Sequence, residues 1–506
     1  MSKITKQDVV DWANKYLGPE SYAIIYKREG KDPDEQKIAA PKITPIVTNR
    51  DSQSEFLSEI QTSQVQPIEP VFVDYKKDMS QFEAQPGIDV LYKKNETNDI
   101  FTLIYVFNTG TENDPALNLA FNYLSYLGTD KMTAEEIASE MYDIACSFYM
   151  NAGANQSSIQ ITGLSENMGK AMEIVEGLIA GAKPDEAILE NCKADMLKSR
   201  ADAKLNQSRC FGALQRYLFY GGDFIRRTTL TDPALQALTS EQLLAKIGGL
   251  MGKQHEVLYY GPQKEAEVKS ALAEHHKVAT DLQPLEKKFS TLLPTDANKV
   301  VLAQYDAKQL YYLQFSNRGE KFDVAADPEI TLYNEYFGGG MNTIVFQEMR
   351  EARGLAYTAW ATLATPSNAN GDYSYYAFIA TQNDKMQKAV EAFDDIINNM
   401  PESEKAFGIA KEALVSRLRT ERTVKDGVLW SYLRARDLGL DAPRDKQIFE
   451  KVQSMTLDDV KAAQQKWVKG RKYVYGILGD IQDLDLNYLK TLGPIQTVSQ
   501  EEIFGY

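Results

Sequence analysis

Apolar residues in this chain follow two spacings, three to four residues apart in some stretches and two apart in others, and the changes of spacing recur in a fixed order. Near the N-terminus Thr5 and Asp8 form a capping-box pattern that opens a helix. A Gly18-Pro19 turn then leads to Tyr22–Tyr26, which predicts a strand. The same order returns where Thr239 and Gln242 precede a strand predicted at His255–Tyr260, and again where Thr456 and Asp459 precede one at Tyr473–Leu478. The spacing from 5 to 239 to 456 is that of whole domains, too long for a solenoid unit. Two complete domains are therefore expected to close near residues 263 and 480. Residues 1–30 read as the terminal helix and strand of a preceding, truncated domain.

Between these closing units the pattern predicts two copies of one fold. Residues 31–71 are polar and proline-interrupted and read as an extended linker. In the first domain, residues 72–262, alternating stretches at Ile88–Tyr92 and Ile100–Phe107 precede a helix containing Leu117, Ala120, Phe121 and Leu124. A capping box at Thr133 and Glu136, strands near Phe148 and Ser157, and two longer helical stretches follow. A connector, 263–298, leads to the second domain, 299–489, which repeats the order, and 490–506 read as a tail. Mixed strands followed by long helices indicate an α+β fold, each domain a mainly antiparallel sheet with helices packed on one side.

Length and charge narrow the function classes. A chain of 506 residues has room for two to four domains. Its formal net charge of −15, with no Lys/Arg run, argues against a nucleic-acid partner, and no 18-residue apolar stretch implies a membrane span. Three cysteines, Cys146, Cys192 and Cys210, are too few and too scattered for a disulfide framework and read as buried thiols. The three histidines, His255, His275 and His276, fall in no H-x-x-E-H or H-E-x-x-H pattern. Adjacent His275 and His276 point to different sides of any regular element, which argues against joint zinc ligation.

One stretch, Phe337–Leu363, joins three glycines, a helix and a strand. Asn342 is placed to cap a helix over 343–352, with Val345, Met349 and Ala352 on its apolar face and Gly354 as the left-handed stop. Alternation from Leu355 places Leu355, Tyr357 and Ala359 on one strand face. Arg350 and Tyr357 can then converge across the bend and donate hydrogen bonds to a peptide carbonyl or its oxyanion. The alternative is a surface ion pair for Arg350 and a half-buried Tyr357. Gly338, Gly339 and Gly340 form either a tight turn or a substrate-contacting loop. Phosphate binding is disfavoured because Met341-Asn342-Thr343 lacks the Walker lysine.

The series Ile344, Val345, Met349, Arg350, Glu351, Gly354, Leu355, Tyr357 resembles the L-x-x-x-L-R-E-x-x-G-L-x-Y pattern in the last domain of pitrilysin/insulinase-family metallopeptidases, the inverted zincins. The resemblance implies that Arg350 and Tyr357 hold the substrate peptide opposite a zinc ion. It also points to the helix closing on Gly128-Thr129 as the place for zinc ligands, where this chain has Leu119, Asn122 and Tyr123. Leu119 offers no lone pair and no carboxylate base is present, so this chain is expected to bind no cofactor, with zinc on a missing N-terminal half. The implied function is the substrate-binding, non-catalytic C-terminal half of a zinc metalloendopeptidase, with a peptide and the catalytic half, or a zinc-bearing subunit, as partners. A peptide would add to a sheet edge. The alternative is a non-enzymatic scaffold or an independent subunit of a processing-peptidase-like complex.

Overall fold

The computed structural model describes residues 3–20, 22–26, 30 and 54–506. These fall into two compact units, residues 1–67 and 68–506.

In the first unit the helix Lys6–Tyr16 opens on the predicted capping box, Asp8 N–H donating to Thr5 Oγ1 at 3.2 Å while the Asp8 carboxylate accepts from Thr5 N–H at 2.7 Å. None of its residues is buried, Trp12 included. Tyr22 and Ile24–Tyr26 are exposed, and the predicted strand does not form among the described residues. The linker expected at 31–71 lies outside the described residues as far as residue 53. Beyond that, Ser54 caps a helix, Glu55–Thr62.

The second unit contains two six-stranded sheets. The strands are β1 (Ser80–Gln85), β2 (Ile88–Lys94), β3 (Ile100–Phe107), β4 (Cys146–Ala152), β5 (Ser157–Leu164), β6 (His255–Gly261), β7 (Lys299–Gln304), β8 (Gln309–Lys321), β9 (Thr358–Ala364), β10 (Asp372–Gln382), β11 (Val474–Gly479) and β12 (Ile495–Val498). The first sheet runs β1-β2-β6-β3-β5-β4 and the second β12-β7-β11-β8-β10-β9. In each, the strand closing the repeat inserts parallel to the opening strand and antiparallel to the next. Val257 of β6 thus faces Val90 of β2 and Tyr105 of β3, and Gly476 of β11 faces Val301 of β7 and Leu313 of β8.

Both repeat-closing helices carry their capping boxes, Thr239 with Gln242 and Thr456 with Asp459. Each sheet buries one face against its own helices. Val90, Tyr105 and Ile159 meet Leu119, Val175 and Ile247 in the first domain, and Leu302, Tyr312 and Ile379 meet Tyr333, Met349 and Phe393 in the second.

The opposite faces are covered by exchange. The helix Gln207–Thr228 follows the long helices of the first domain, yet Phe211, Leu214 and Leu218 pack on Val301, Leu313, Phe378 and Leu478 of the second sheet. Its counterpart Gly427–Asp437 sends Val428, Leu429 and Leu433 onto Leu91, Ile104, Val106 and Leu258 of the first. Arg436 on that helix makes a two-pronged ion pair with Glu256 of β6.

Two segments differ from the sequence expectation. Residues 263–298 are not a bare connector, because the helix Glu265–His275 buries Val268 and Leu272 in the first core. Residues 490–506 are not a tail, because β12 forms the edge of the second sheet and Ile503 is buried against the exchanged helix. Short elements lacking a long periodic stretch leave little trace in sequence.

Candidate functional site

The second domain's helix Asp327–Phe337 runs into Gly338, which sits so close to β9 that a Cβ there would lie 2.3 Å from the Ala361 carbonyl oxygen. Gly338 O accepts from Ala361 N–H at 3.0 Å. One turn earlier, Asn334 pairs with Leu363 like a strand neighbour, its amide donating to the Leu363 carbonyl and its oxygen accepting from Leu363 N–H, each at 2.9 Å. The outer edge of β9 is thereby tied to its own helix and is not free for peptide addition. Of the three glycines, Gly338 is demanded by close approach, while Gly339 has open space around its Cβ position.

The helix that follows is irregular. Asn342 does not cap it; Thr343 occupies the cap position and uses its hydroxyl to donate to Gly340 O at 2.7 Å. One short α-turn, Ile344–Phe346, passes into a π-helix, Gln347–Ala352, with Arg353 N–H reaching back to Glu348 O at 3.2 Å. The wider turn keeps Val345 and Met349 buried but carries Ala352 to the surface, off the predicted apolar face. Gly354 ends the helix at φ +58, as the sequence predicts. The strand starts only at Thr358. Leu355 and Ala359 are buried, whereas Tyr357, which the alternation puts on their face, lies in the unpaired bend and is 73% exposed.

Arg350 and Tyr357 are adjacent in space. The Arg350 guanidinium lies 4.3 Å from the Tyr357 ring centroid and 4.9 Å from that of Phe346, one turn earlier on the same helix. Its Nε is 3.5 Å from Glu351 Oε1. The contact is therefore face-on, cation over ring, rather than two donors side by side. The planar guanidinium can still offer its edge N–H groups to an acceptor, and the phenol its O–H. Phe346 had no place in the sequence reading. Its signal was the i, i+4 spacing to Arg350 on a partly exposed helix face.

Leu119, Asn122 and Tyr123 do not fit a zinc ion. Leu119 and Tyr123 are buried in the first core, and the Tyr123 hydroxyl is engaged with Ser240 Oγ at 2.8 Å and Asp185 N–H at 2.7 Å. Asn122 is exposed. Among the described residues no group of three or more His, Cys, Asp and Glu side chains is arranged to hold a metal. The three cysteines are buried and free. His275 and His276 do diverge: His275 Nδ1 sits 3.2 Å from exposed Glu173. His276 is buried between His255, Nε2 to Nε2 at 2.9 Å, and Glu176, at 2.7 Å, whose carboxylate also accepts from the Tyr105 hydroxyl at 2.8 Å. Burial, with the neighbouring His276 adding to it, holds His255 down at a pKa of about 4.

Known proteins place this architecture. Residues 254–414 match the family model described as the peptidase M16 inactive domain. An uncharacterized zinc protease of Rickettsia bellii is 23% identical over 312 residues, 59% of this chain and 70% of that protein. The crystal structure of the peptidase M16 inactive domain from Pseudomonas fluorescens aligns with a TM-score of 0.62 at 18% identity, covering 79% of this chain and 98% of that one. The periplasmic protease PqqL from Escherichia coli aligns at 0.61 and 12% identity, and there the match takes in 94% of this chain but 51% of that protein. The chain is thus similar to the non-catalytic C-terminal half of the pitrilysin (M16) metallopeptidases, in sequence over residues 254–414 and in fold over most of its length. Among the described residues no helix is long and apolar enough to cross a membrane.

Proposed function

We propose that this chain is the substrate-binding half of a zinc metalloendopeptidase, closing over a peptide held by a separate zinc-bearing half, and that Arg350 and Tyr357 contact the peptide. The observation that carries the reading is the contact of half-buried Arg350 with the exposed Tyr357 ring, set on a π-helix and an unpaired bend. π-Helical turns recur at functional sites because they re-aim side chains at a cost in stability. Stacking fixes the guanidinium plane, leaving its edge to grip a peptide carbonyl, while the Tyr357 hydroxyl can donate to an oxyanion developing on the scissile carbonyl. Because the outer edge of β9 is occupied by Asn334 and Gly338, the peptide would be met here by side chains rather than by strand addition. The zinc ion would supply the hydrolytic chemistry, from the other half.

The alternative, a scaffold or independent non-catalytic subunit, needs no exposed Arg350–Tyr357 pair. Combined with a zinc-bearing half, Tyr357→Phe should lower turnover about 10²-fold to 10³-fold with little change in KM, since a donor to the oxyanion acts in the transition state. Arg350→Ala should weaken peptide binding as well. Full activity in both folded variants would assign the pair a structural role.

A further inference from the structure

A cleft of about 610 Å³ lies at the end of β4, between the β4–β5 hairpin, the exchanged helix Gln207–Thr228 and the C-terminal helix. Its charge runs against the net −15 of the chain, because Arg200, Arg209 and Arg216 all line it. Arg200 is already answered, by an ion pair with Asp232 and by the Tyr506 ring 4.4 Å away. Arg209 and Arg216 are not. Among the described residues neither forms an ion pair with a carboxylate; Arg216, half-buried, has the Thr228 hydroxyl at 2.7 Å and the Phe224 ring at 5.1 Å. Glu112, the carboxylate lining the cleft, accepts a hydrogen bond from Ser290 and favours the Arg216 charge at longer range, without an ion pair. The buried hydroxyl oxygen of Thr229, also on the lining, has no hydrogen-bond partner.

Burial disfavours the Arg216 charge and Glu112 answers it only at longer range, so an entering anion gains a charge-assisted hydrogen bond there. The neighbouring strand says what could carry that anion. Among the described residues, no hydrogen bond from outside the sheet reaches the backbone of β4, unlike β9, and its last residue, Ala152, lines the cleft. An open strand edge is a template for an extended peptide.

We propose that the cleft receives a carboxylate of an extended peptide paired with the outer edge of β4, Arg209 and Arg216 holding the carboxylate. The proposal rests on the peptide-binding reading above and names an acidic residue as a feature of the peptide bound. The test is calorimetric titration of the full chain with a decapeptide alternating glutamate and leucine, and with its glutamine counterpart. The glutamate peptide should bind at least about tenfold more tightly at low salt, and the advantage should fall with added salt. Arg209→Gln, an exposed change, and Arg216→Gln, checked for folding by circular dichroism, should each erase most of that advantage. Equal affinity for the two peptides, or an advantage that survives Arg209→Gln, overturns the proposal. Binding of inorganic pyrophosphate without binding of the glutamate peptide would assign the cleft to free anions and overturn the peptide occupant. The parent reading fails separately: if Arg350→Ala leaves the affinity for both peptides unchanged, the Arg350–Tyr357 site falls while the glutamate advantage can stand.

Discussion

The segment after the first helix of each sheet domain is built twice, from residues 128–152 and from 338–364, and the copies diverge where Arg350 and Tyr357 lie. In the first copy Thr133 and Glu136 cap each other across a regular helix, Ala134–Asp143. Ala145 turns the chain at φ +50, and pairing begins at once, Cys146 opposite Gly163. In the second copy the side-chain cap is absent, the helix widens into a π-turn, Gly354 turns the chain at φ +58, and three residues pass before Thr358 pairs with Ala380. The regular copy leaves its strand edge open; the irregular copy closes its edge with Asn334 and Gly338 and spends its irregularity on presenting two side chains. Repetition sets the plan, and departure from it marks the part under another demand.

The largest effect should come from Gly338→Ala, whose new methyl would press on the Ala361 carbonyl and drive the Asp327–Phe337 helix off β9. A loss of about 2 to 4 kcal/mol is expected in urea unfolding, against about 0.5 or less for Gly339→Ala. Similar losses from both would mean that the close approach is not what Gly338 supplies.

The buried His255 of the first domain should give a stability step with pH. His255 stays neutral in the fold down to about pH 4, whereas in the unfolded chain it takes up a proton near 6.5. Between those values the unfolded state binds more protons, so stability is complete above pH 6.5 and falls as pH drops through the window. The loss is about 2 to 3 kcal/mol by pH 4. Urea midpoints across pH 4 to 7 read it, and His255→Gln should flatten the step.

Asn334→Ala removes both partners of the Leu363 backbone and should cost about 1 to 3 kcal/mol. If the loss is negligible, water satisfies Leu363 and β9 is an open edge like β4. The smallest effects are a mirrored pair: Gly354→Ala should destabilise by about 1 kcal/mol, and Ala145→Gly should stabilise by somewhat less, because both positions have positive φ. Effects of the same sign would break the equivalence of the two turns.

The sequence by itself determined the repeat and its reading as an α+β fold. Local interactions write those signals: the capping boxes at Thr5, Thr239 and Thr456, the period-two stretches, and the glycine at 354. Arg350 and Tyr357 were legible because a helix, a stop and a strand place them within reach at any reasonable geometry. Tertiary structure alone decided the rest. Nothing local distinguishes a helix that covers its own sheet from one that covers its neighbour's, since both present the same apolar stripe, so the exchange of Gln207–Thr228 and Gly427–Asp437 was invisible. The side-chain pairing of Asn334 with Leu363 and the gathering of Arg209 and Arg216 at the end of β4 join residues far apart in sequence. Tyr357 left its predicted face because Thr358, not Leu355, is the first residue to find a partner in β10. Strand boundaries belong to the pair, and a single strand's sequence carries half of that information.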